Sequence, residues 1–312
     1  IASTLSMAPR IYLFLFLIGL VAMYNFSITL VSGLAAVVLF GWSASYFSAT
    51  GVPYFIDSEI PSAVFLGLHL LVTDPSTSPR TPLGKALFGL LYGVSVVALF
   101  AGLDLLGAPR FYDKLLAVPI LNLSVQRIDG LARRIQGSSW WGRVRPRWSL
   151  TRLNLAHIAV WVTFFGLMTA TGRTDGRHTG DSLPYWQQAC EEDRRKACER
   201  LVDIEYSYCA DNSGWACNEL GRHLAEGRVV DPDAELSRGY FVRACDARFQ
   251  PGCLNLLEPE TLVTAPPRTL DLRLLVREGR ATLMDMSEPE LYARACDHRW
   301  RFACEVLALR SP

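Results

Sequence analysis

The sequence predicts an all-α protein in which a polytopic membrane helix bundle is followed by a helical-repeat domain. Half of the residues are hydrophobic, and the long apolar runs lie in the first 180 residues. Residues 1–180 hold 14 Lys and Arg against 7 Asp and Glu, whereas residues 181–312 hold 17 against 23. All eight cysteines lie in the second part, at one fixed spacing. This contrast indicates a membrane part followed by a soluble part.

A membrane domain of about five helices is predicted over residues 1–134. A helix needs about 20 mostly apolar residues to cross the hydrocarbon core. The candidate runs, the sixth of them beyond this domain, are Ile11–Tyr24, Ile28–Tyr46, Pro61–Val72, Ala86–Leu106, Leu115–Gln126 and Leu155–Thr171. The first, third and fifth are short, so we expect some of these helices to be tilted or partly re-entrant. A signal peptide is the alternative for the first run, but no small-residue cleavage site follows it. Because the chain begins with Ile rather than Met, we expect further residues upstream.

The basic residues predict the orientation of these helices. The arginines that flank the fifth and sixth runs are Arg127, Arg133, Arg134, Arg143, Arg145, Arg147 and Arg152, with Asp129 as the only opposing acid. Short flanks rich in Arg stay in the cytoplasm, so the Arg- and Trp-rich loop at 135–154 is predicted to be cytoplasmic. The sixth helix, at 155–172, would then carry the chain outward. A linker at 173–184 and a repeat domain at 185–312 would follow on the outer side.

A polar segment between the third and fourth runs, which we call the elbow (residues 70–85), interrupts the membrane domain. Its three prolines, which prevent continuation of a helix, are Pro75, Pro79 and Pro82. Small residues that would allow close helix packing follow at Gly84, Gly89 and Gly93. An irregular segment at a membrane surface usually contacts a ligand or a partner subunit. The elbow is therefore a candidate functional site.

The elbow also carries a pattern that resembles a known family. Thr73-Asp74-Pro75 is followed by Ser-Pro-x-Thr-Pro-x-Gly-Lys, which ends at Lys85, and by Leu-Phe-Gly-x-x-x-Gly. This pattern resembles the membrane subunits that comprise the D subunit of Rnf electron-transport complexes and the B subunit of the sodium-pumping NADH:quinone reductase. The stretch Leu116–Asn122, followed by Arg127-Ile128-Asp129, is similar to the last helix of that family. The resemblance covers roughly Arg10 to Arg134.

The resemblance implies a membrane subunit of a redox or ion-coupled electron-transport complex, with other membrane subunits as partners and flavin as a possible cofactor. Family members carry flavin mononucleotide on the threonine of a Ser-Gly-Ala-Thr motif outside the membrane. This sequence has no such motif, and the nearest string, Ser48-Ala49-Thr50-Gly51, has a different order. The alternative function is a non-redox structural or assembly subunit, with the membrane domain as an anchor and the repeats as a scaffold.

Several polar residues in or near the membrane runs are candidate cofactor ligands. The elbow residues that could hold a phosphate or a flavin tail are Thr73, Asp74, Ser76, Thr77 and Lys85. Capping of the flanking helices explains Thr73 and Asp74 equally well. His69 and His157 are the only histidines within apolar runs, so a paired-histidine haem is conceivable, although an interhelical hydrogen bond is the more ordinary interpretation. The sequence shows no catalytic constellation and no metal-ligand cluster. The Arg-rich loop could be a nucleic-acid patch, but its position between two membrane runs argues against nucleic acid as a partner.

The second part of the chain contains a repeated Cys-x7-Cys pattern. The four pairs are Cys190/Cys198, Cys209/Cys217, Cys245/Cys253 and Cys296/Cys304. Cys209 and Cys245 are 36 residues apart, a period typical of helical-pair repeats. Cys190 and Cys209 are only 19 residues apart, so the first unit is expected to be abbreviated or to be a cap, and an inserted loop is expected before the last pair. That loop contains Pro259, Pro266 and Pro267.

Turn residues between the pairs support helix–turn–helix repeats. Gly227 and Gly279 are predicted to end helices in the left-handed conformation. Asp231 is predicted to cap the next helix, with Pro232 at its first position.

The repeats resemble the cysteine-rich Sel-type repeats, which are relatives of the tetratricopeptide fold. In that family each cysteine pair is a disulfide that ties one helix to the next. The resemblance implies an α-solenoid stapled by Cys190–Cys198, Cys209–Cys217, Cys245–Cys253 and Cys296–Cys304. Metal binding is the alternative, although no pair has the spacing of a zinc knuckle.

The implied disulfides and the charge pattern predict the same location. Disulfides require an oxidising compartment, so the repeats are expected in the periplasm and the helix bundle in the bacterial inner membrane. Helical-repeat arrays usually bind proteins along a concave face. We therefore expect a periplasmic protein as a partner, in addition to the lipid bilayer and other membrane subunits.

Overall fold

The computed structural model describes residues 10–55, 59–70, 78–106, 113–138, 149–174, 178–194, 196–276 and 283–310. Helices dominate these residues and no strand occurs among them, which confirms the all-α prediction. The chain divides into two compact units. We call residues 1–49 with 53–178 the membrane unit, and residues 50–52 with 179–312 the repeat domain.

Three helices of the membrane unit are long and apolar enough to cross a membrane. The helices of this part of the chain are α1 (Ile11–Phe26), α2 (Thr29–Thr50), α3 (Ser62–Leu70), α4 (Pro82–Leu105), α5 (Asp113–Gln136) and α6 (Leu150–Ala170). The three candidate spans are Thr29–Thr50, Pro82–Leu103 and Thr151–Ala170. The shorter α1 is also apolar throughout. By length and composition, this part of the chain is a polytopic membrane helix bundle.

The third and the fifth predicted membrane runs, both of which are short, lie in helices of unequal length. The run Pro61–Val72 contains α3, which has nine residues. At about 1.5 Å per residue this helix is about 13 Å long, less than half the thickness of the hydrocarbon core. The run Leu115–Gln126 is part of the longer α5, which contains Pro119 and ends in a basic turn. The second half of α5 is polar, so the apolar part of this helix is too short to cross the hydrocarbon core by itself.

Aromatic side chains fill the centre of the membrane unit. Phe16 of α1 stacks on Phe165 of α6 with ring centroids 3.8 Å apart. Trp161 of α6 lies near Phe65 of α3, and both side chains are buried. Helices of the membrane unit also expose large apolar side chains, including Leu123 of α5 at 87% exposure, which suits contact with lipid tails.

The small residues of α4 allow it to pack closely against α2, as the sequence pattern predicts. A Cβ atom at Gly89 would collide with the backbone carbonyl of Val31. A Cβ atom at Gly93 would lie 2.8 Å from the Cβ atom of Val38. Both contacts are shorter than van der Waals distance, so any larger residue would push the two helices apart.

The repeat domain is built from short helices joined by tight turns. Its helices are α7 (Leu183–Glu191), α8 (Ala197–Ala210), α9 (Gly214–Glu226), α10 (Ala234–Asp246), α11 (Gln250–Leu257), α12 (Thr269–Leu275), α13 (Glu288–Asp297) and α14 (Arg301–Arg310). Trp215 of α9 and Trp300, just before α14, meet edge to face in its core. The insertion that the sequence predicts before the last cysteine pair contains one of these helices, α12.

Each cysteine pair forms a disulfide between the end of one helix and the start of the next. The four bonds are Cys190–Cys198, Cys209–Cys217, Cys245–Cys253 and Cys296–Cys304, with Cα atoms 4.5–4.8 Å apart. No cysteine of the chain is free. The bonds therefore staple four helix–helix turns.

The four stapled turns share one backbone geometry. The residue three positions after the first cysteine has a left-handed conformation in each turn, at Asp193, Asn212, Arg248 and Arg299. The next backbone N–H donates to the carbonyl of the residue before that cysteine, over 2.9–3.1 Å. This six-residue closure is the Schellman arrangement that ends many helices. None of these left-handed residues is glycine, so their conformation was not evident from the sequence.

The helix cap that precedes α10 differs from the prediction. The capping residue is Asp233, whose carboxylate accepts from the backbone N–H of Leu236 over 2.9 Å, rather than Asp231. Pro232 packs on Gly227, which ends α9 in the left-handed conformation, as predicted. Gly279 lies outside the described residues. The cap is thus two residues later than predicted.

Candidate functional site

The described part of the elbow is held by Asp129 of α5. The Asp129 carboxylate accepts hydrogen bonds from the backbone N–H of Arg80 over 2.9 Å and of Thr81 over 3.2 Å. The Thr81 hydroxyl also donates to it, over 2.9 Å. The same hydroxyl accepts from the N–H of Gly84 over 3.0 Å, so Thr81 is the N-cap of α4. Asp129 is buried and thus fastens the start of α4 to α5.

Gly84 is required by this arrangement because it lies directly against the carboxylate. A Cβ atom at Gly84 would be 2.5 Å from Oδ1 of Asp129 and 2.6 Å from the Thr81 hydroxyl. A side chain there would displace the group that caps α4. One contact therefore joins the two motifs of the sequence analysis, Ser-Pro-x-Thr-Pro-x-Gly-Lys and Arg127-Ile128-Asp129.

Lys85 joins the elbow to the turn between α1 and α2. Its ammonium group donates to the backbone carbonyl of Ser27 over 2.9 Å, and Ser27 has a left-handed conformation in that turn. Asn154 of α6 donates to the carbonyl of Met23 nearby, over 3.3 Å. Lys85 is thus engaged in a structural contact. The other proposed ligands of the elbow, Thr73, Asp74, Ser76 and Thr77, lie outside the described residues.

The two candidate haem ligands sit in different surroundings. His69 is buried in α3, with Nδ1 2.8 Å from the carbonyl of Phe65 and its ring 5.9 Å from that of Trp161. The His69 ring also lies so close to Gly19 of α1 that a Cβ atom there would overlap with it. His157 of α6 is only partly buried. A haem over the His69 ring would have to displace α1, so the described residues do not fit a haem at this position.

We expect Gly19→Ala to destabilise the membrane unit. The new methyl group would overlap with the His69 ring, and overpacking of this kind costs about 1–3 kcal/mol. Gly41→Ala is the matched control, because no atom lies within 4 Å of a Cβ atom built at Gly41. Thermal aggregation of the detergent-solubilised chain should begin several degrees lower for Gly19→Ala than for Gly41→Ala. Equal aggregation temperatures would contradict the packing described for His69.

A second polar cluster closes the membrane unit between α2, α3 and α6. The buried Glu59 carboxylate accepts from the Ser43 hydroxyl of α2 over 2.6 Å. It also forms an ion pair with Arg173, which follows α6. Burial with a cation and a hydroxyl gives Glu59 a structural role.

A buried acid–base pair lies between α8 and α9 of the repeat domain. Oε2 of Glu205 is 3.1 Å from Nε2 of His223, and the Glu205 side chain is almost completely buried. Burial raises the pKa of Glu205 to about 7, although His223 opposes this shift. Burial lowers the pKa of His223, but the contact with Glu205 outweighs this effect and the pKa is raised. Neither residue stood out in the sequence, where both lie at ordinary helical positions.

We expect the stability of α8 and α9 to fall as the pH rises from 4.5 to 7. In this interval the folded chain keeps the Glu205 proton that the unfolded chain has released, so unfolding becomes easier as pH rises. The decrease for Glu205 alone is about 3 kcal/mol. Hydrogen exchange of the α8 and α9 amides in the full chain, corrected for intrinsic rates, measures it.

Glu205→Gln is the control for this pH dependence, because the amide has nearly the same shape and cannot titrate. Because the substitution also removes the contact that raises the pKa of His223, the variant should lose most of the decrease in stability between pH 4.5 and 7. An unchanged slope in the variant would show that other groups cause it.

Two buried asparagines of the repeat domain hold a neighbouring backbone segment. Asn255 of α11 accepts from the N–H of Val263 over 2.6 Å and donates to the carbonyl of the same residue over 2.9 Å. Its amide also donates to Asn218 of α9 over 2.9 Å, and Asn218 reaches the Val263 carbonyl over 3.3 Å. The sequence analysis missed both residues because each lies within a helix, where no side-chain pattern marks its partner.

The described residues contain no group of three or more His, Cys, Asp or Glu side chains placed to hold a metal ion. The cysteines, for which metal binding was the alternative, are all disulfide-bonded. Comparison with protein-family models, with curated proteins and with solved structures finds no match to this chain. The resemblances drawn from the elbow and from the cysteine repeats therefore stay predictions.

Proposed function

We propose that the chain is a non-redox structural or assembly subunit of a membrane complex, with the helix bundle as an anchor and the repeat domain as a scaffold for a partner protein. The observation that carries this proposal is the joining of three apolar candidate spans to a helical domain with four disulfide-stapled turns. Helical repeats offer extended surfaces for binding proteins. In the membrane unit, by contrast, Lys85 and His69 take part in packing contacts.

The proposed location is the bacterial inner membrane, with the repeat domain in the periplasm. Four disulfides suit an oxidising compartment. The basic residues near the end of α5 favour the cytoplasmic side for that end under the positive-inside rule. Both lines of reasoning support the same orientation and are independent of each other.

Purification of the full chain from its native membrane in a mild detergent tests the proposed function. We expect a partner protein in constant proportion to the chain, released when dithiothreitol unfolds the repeats. Material treated with iodoacetamide alone should keep the partner, because alkylation without reduction leaves the disulfides intact. A chain that purifies alone, or a partner that remains after complete reduction, would refute the scaffold function.

A second candidate function, an electron-transport subunit, is favoured by the contact of Asp129 with Arg80 and Thr81. This contact joins the two stretches on which the family resemblance rests. The test is an absorption spectrum of the native-membrane protein before and after dithionite, with fluorescence of the denatured polypeptide. A flavin band that stays with the denatured chain would support electron transport and contradict the non-redox proposal. A colourless complex would contradict electron transport.

A further inference from the structure

The segment Glu258–Arg268, which we call the strap, crosses the surface of α9 and α11 without regular structure. Residues 262–268 form no helix or turn, and the strap then leads into α12. Val263 is held through both of its backbone groups by Asn255, while its side chain is 37% exposed. The strap is therefore bound by its main chain at this position.

The contact continues along the strap in both directions. The Thr264 hydroxyl donates to the Glu219 carboxylate of α9 over 2.8 Å. Arg268 donates to the backbone carbonyls of Ala247 and Arg248 and lies over the Phe249 ring. Pro266 and Pro267 favour an extended backbone between these anchors. One extended segment thus lies across two neighbouring helical repeats.

Asn218 and Asn255 have the backbone of the strap as a hydrogen-bonding partner. Both side chains are buried, at 0% and 1% exposure, and their amide groups point at the Val263 backbone. Buried amide groups without a hydrogen-bonding partner are strongly unfavourable. An asparagine side chain that meets one N–H and one carbonyl of the same residue recognises any extended residue other than proline. The site selects for main-chain geometry rather than for a particular side chain.

We propose that Asn218 and Asn255 form a binding site for an extended peptide segment of the partner protein, and that the strap fills it as an intramolecular competitor. This inference rests on the proposed scaffold function and names the kind of segment that the scaffold binds. A tethered competitor acts at an effective concentration in the millimolar range. Binding of a partner segment therefore requires displacement of the strap, or a segment that binds more tightly than the strap does.

A peptide-binding experiment on the full chain in detergent tests this inference. In the main variant, residues 261–266 are replaced by six Gly and Ser residues, which keeps the buried Pro267 and the Arg268 anchor. The probe is a fluorescein-labelled peptide with the sequence of residues 258–268. We expect the variant to bind this peptide at least about tenfold more tightly than the unmodified chain, because the competitor is gone. Asn255→Leu in the same background should weaken binding at least about tenfold.

Modified peptides test recognition of the main chain. N-methylation of the Val263 amide removes the N–H group that donates to the Asn255 side chain, so the N-methylated peptide should not bind detectably. A peptide with Val263→Thr keeps both backbone groups and should bind like the original. Equal binding of the N-methylated peptide would overturn the inference, as would absence of binding by a variant with normal helix content and four intact disulfides.

Two further outcomes are informative. If the Gly/Ser variant does not fold, the variant Arg268→Gln replaces it, because this substitution releases one anchor of the strap without changing the length of the strap. A folded Arg268→Gln variant that binds no more peptide than the unmodified chain would overturn the inference. A concentration-dependent dimer of either variant without peptide binding would assign the site to a second copy of the chain and also overturn it. The scaffold function is tested separately by release of the native partner on reduction, so the two failures are distinguishable.

Discussion

Complete reduction of the chain is expected to unfold the repeat domain and to leave the membrane unit folded. Each disulfide joins cysteines eight residues apart. In the chain-entropy description, a loop of this length contributes about 2–3 kcal/mol to the free energy of unfolding. Four such bonds contribute about 10 kcal/mol, which is comparable with the whole stability of a typical domain. The membrane unit contains no cysteine, so reduction should not affect its helices directly.

Circular dichroism and hydrogen exchange of the full chain in detergent, with and without dithiothreitol, measure this effect. Amides of α8 to α11 should lose most of their protection after reduction, while those of α2 and α4 should keep it. The double variant Cys245→Ser/Cys253→Ser is the graded comparison, with an expected loss of about 2–3 kcal/mol. Full protection of the repeat helices after complete reduction would mean that packing alone stabilises the domain.

Asp129→Ala is expected to release the elbow from α5. The substitution leaves the backbone N–H groups of Arg80 and Thr81 without their acceptor and removes a third bond from the Thr81 hydroxyl. Hydrogen bonds to a charged group contribute about 1.5–3 kcal/mol each, although losses within one cluster are not additive. We expect a local destabilisation of about 3 kcal/mol. At about 1.4 kcal/mol per factor of ten, this corresponds to a hundredfold larger open population.

Tryptic cleavage after Arg80 measures this open population in the full chain, because proteolysis follows local opening when reclosing is fast. Cleavage should be about a hundredfold faster for Asp129→Ala. The cleavage rate of Asp129→Asn should lie between those of Asp129→Ala and of the unmodified chain, since the amide oxygen still accepts one hydrogen bond from the backbone. Arg127→Ala, a change at an exposed position nearby on α5, should leave the rate nearly unchanged. Equal rates for Asp129→Ala and Arg127→Ala would refute the role of Asp129 in holding Arg80 and Thr81 against α5.

The features that the sequence predicted well are those encoded by local patterns. Apolar runs predicted the spans of α2, α4 and α6, because length and composition alone decide whether a helix can cross a membrane. The recurring Cys-x7-Cys pattern predicted repeated helix–turn–helix units, and Gly227 ends α9 as expected. Gly89 and Gly93 predicted the close packing of α4 against α2. In each case the signal lies within one helix or one turn.

The features that the sequence did not predict depend on contacts between distant residues. Asp129 holds the N-cap residue of a helix that begins 47 residues earlier in the chain, and no periodicity connects the two positions. Asn255 is satisfied by the backbone of an irregular segment, so no side-chain pattern marks its partner. The left-handed residues Arg248 and Arg299 are of a type that seldom adopts this conformation. Tertiary packing determines these contacts and backbone conformations, and local sequence patterns do not reveal tertiary packing directly.

The eight cysteines provide the most direct test of the proposed architecture, since every cysteine of the chain belongs to a disulfide of the repeat domain. Intact cells with a permeabilised outer membrane would be treated with a membrane-impermeant phosphine and then with an impermeant polyethylene glycol maleimide. We predict no labelling before reduction and eight additions after it, without lysis of the inner membrane. Labelling only after lysis would place the repeats in the cytoplasm, and labelling before reduction would show free thiols. Either result would contradict a disulfide-stapled scaffold on the outer side of the membrane.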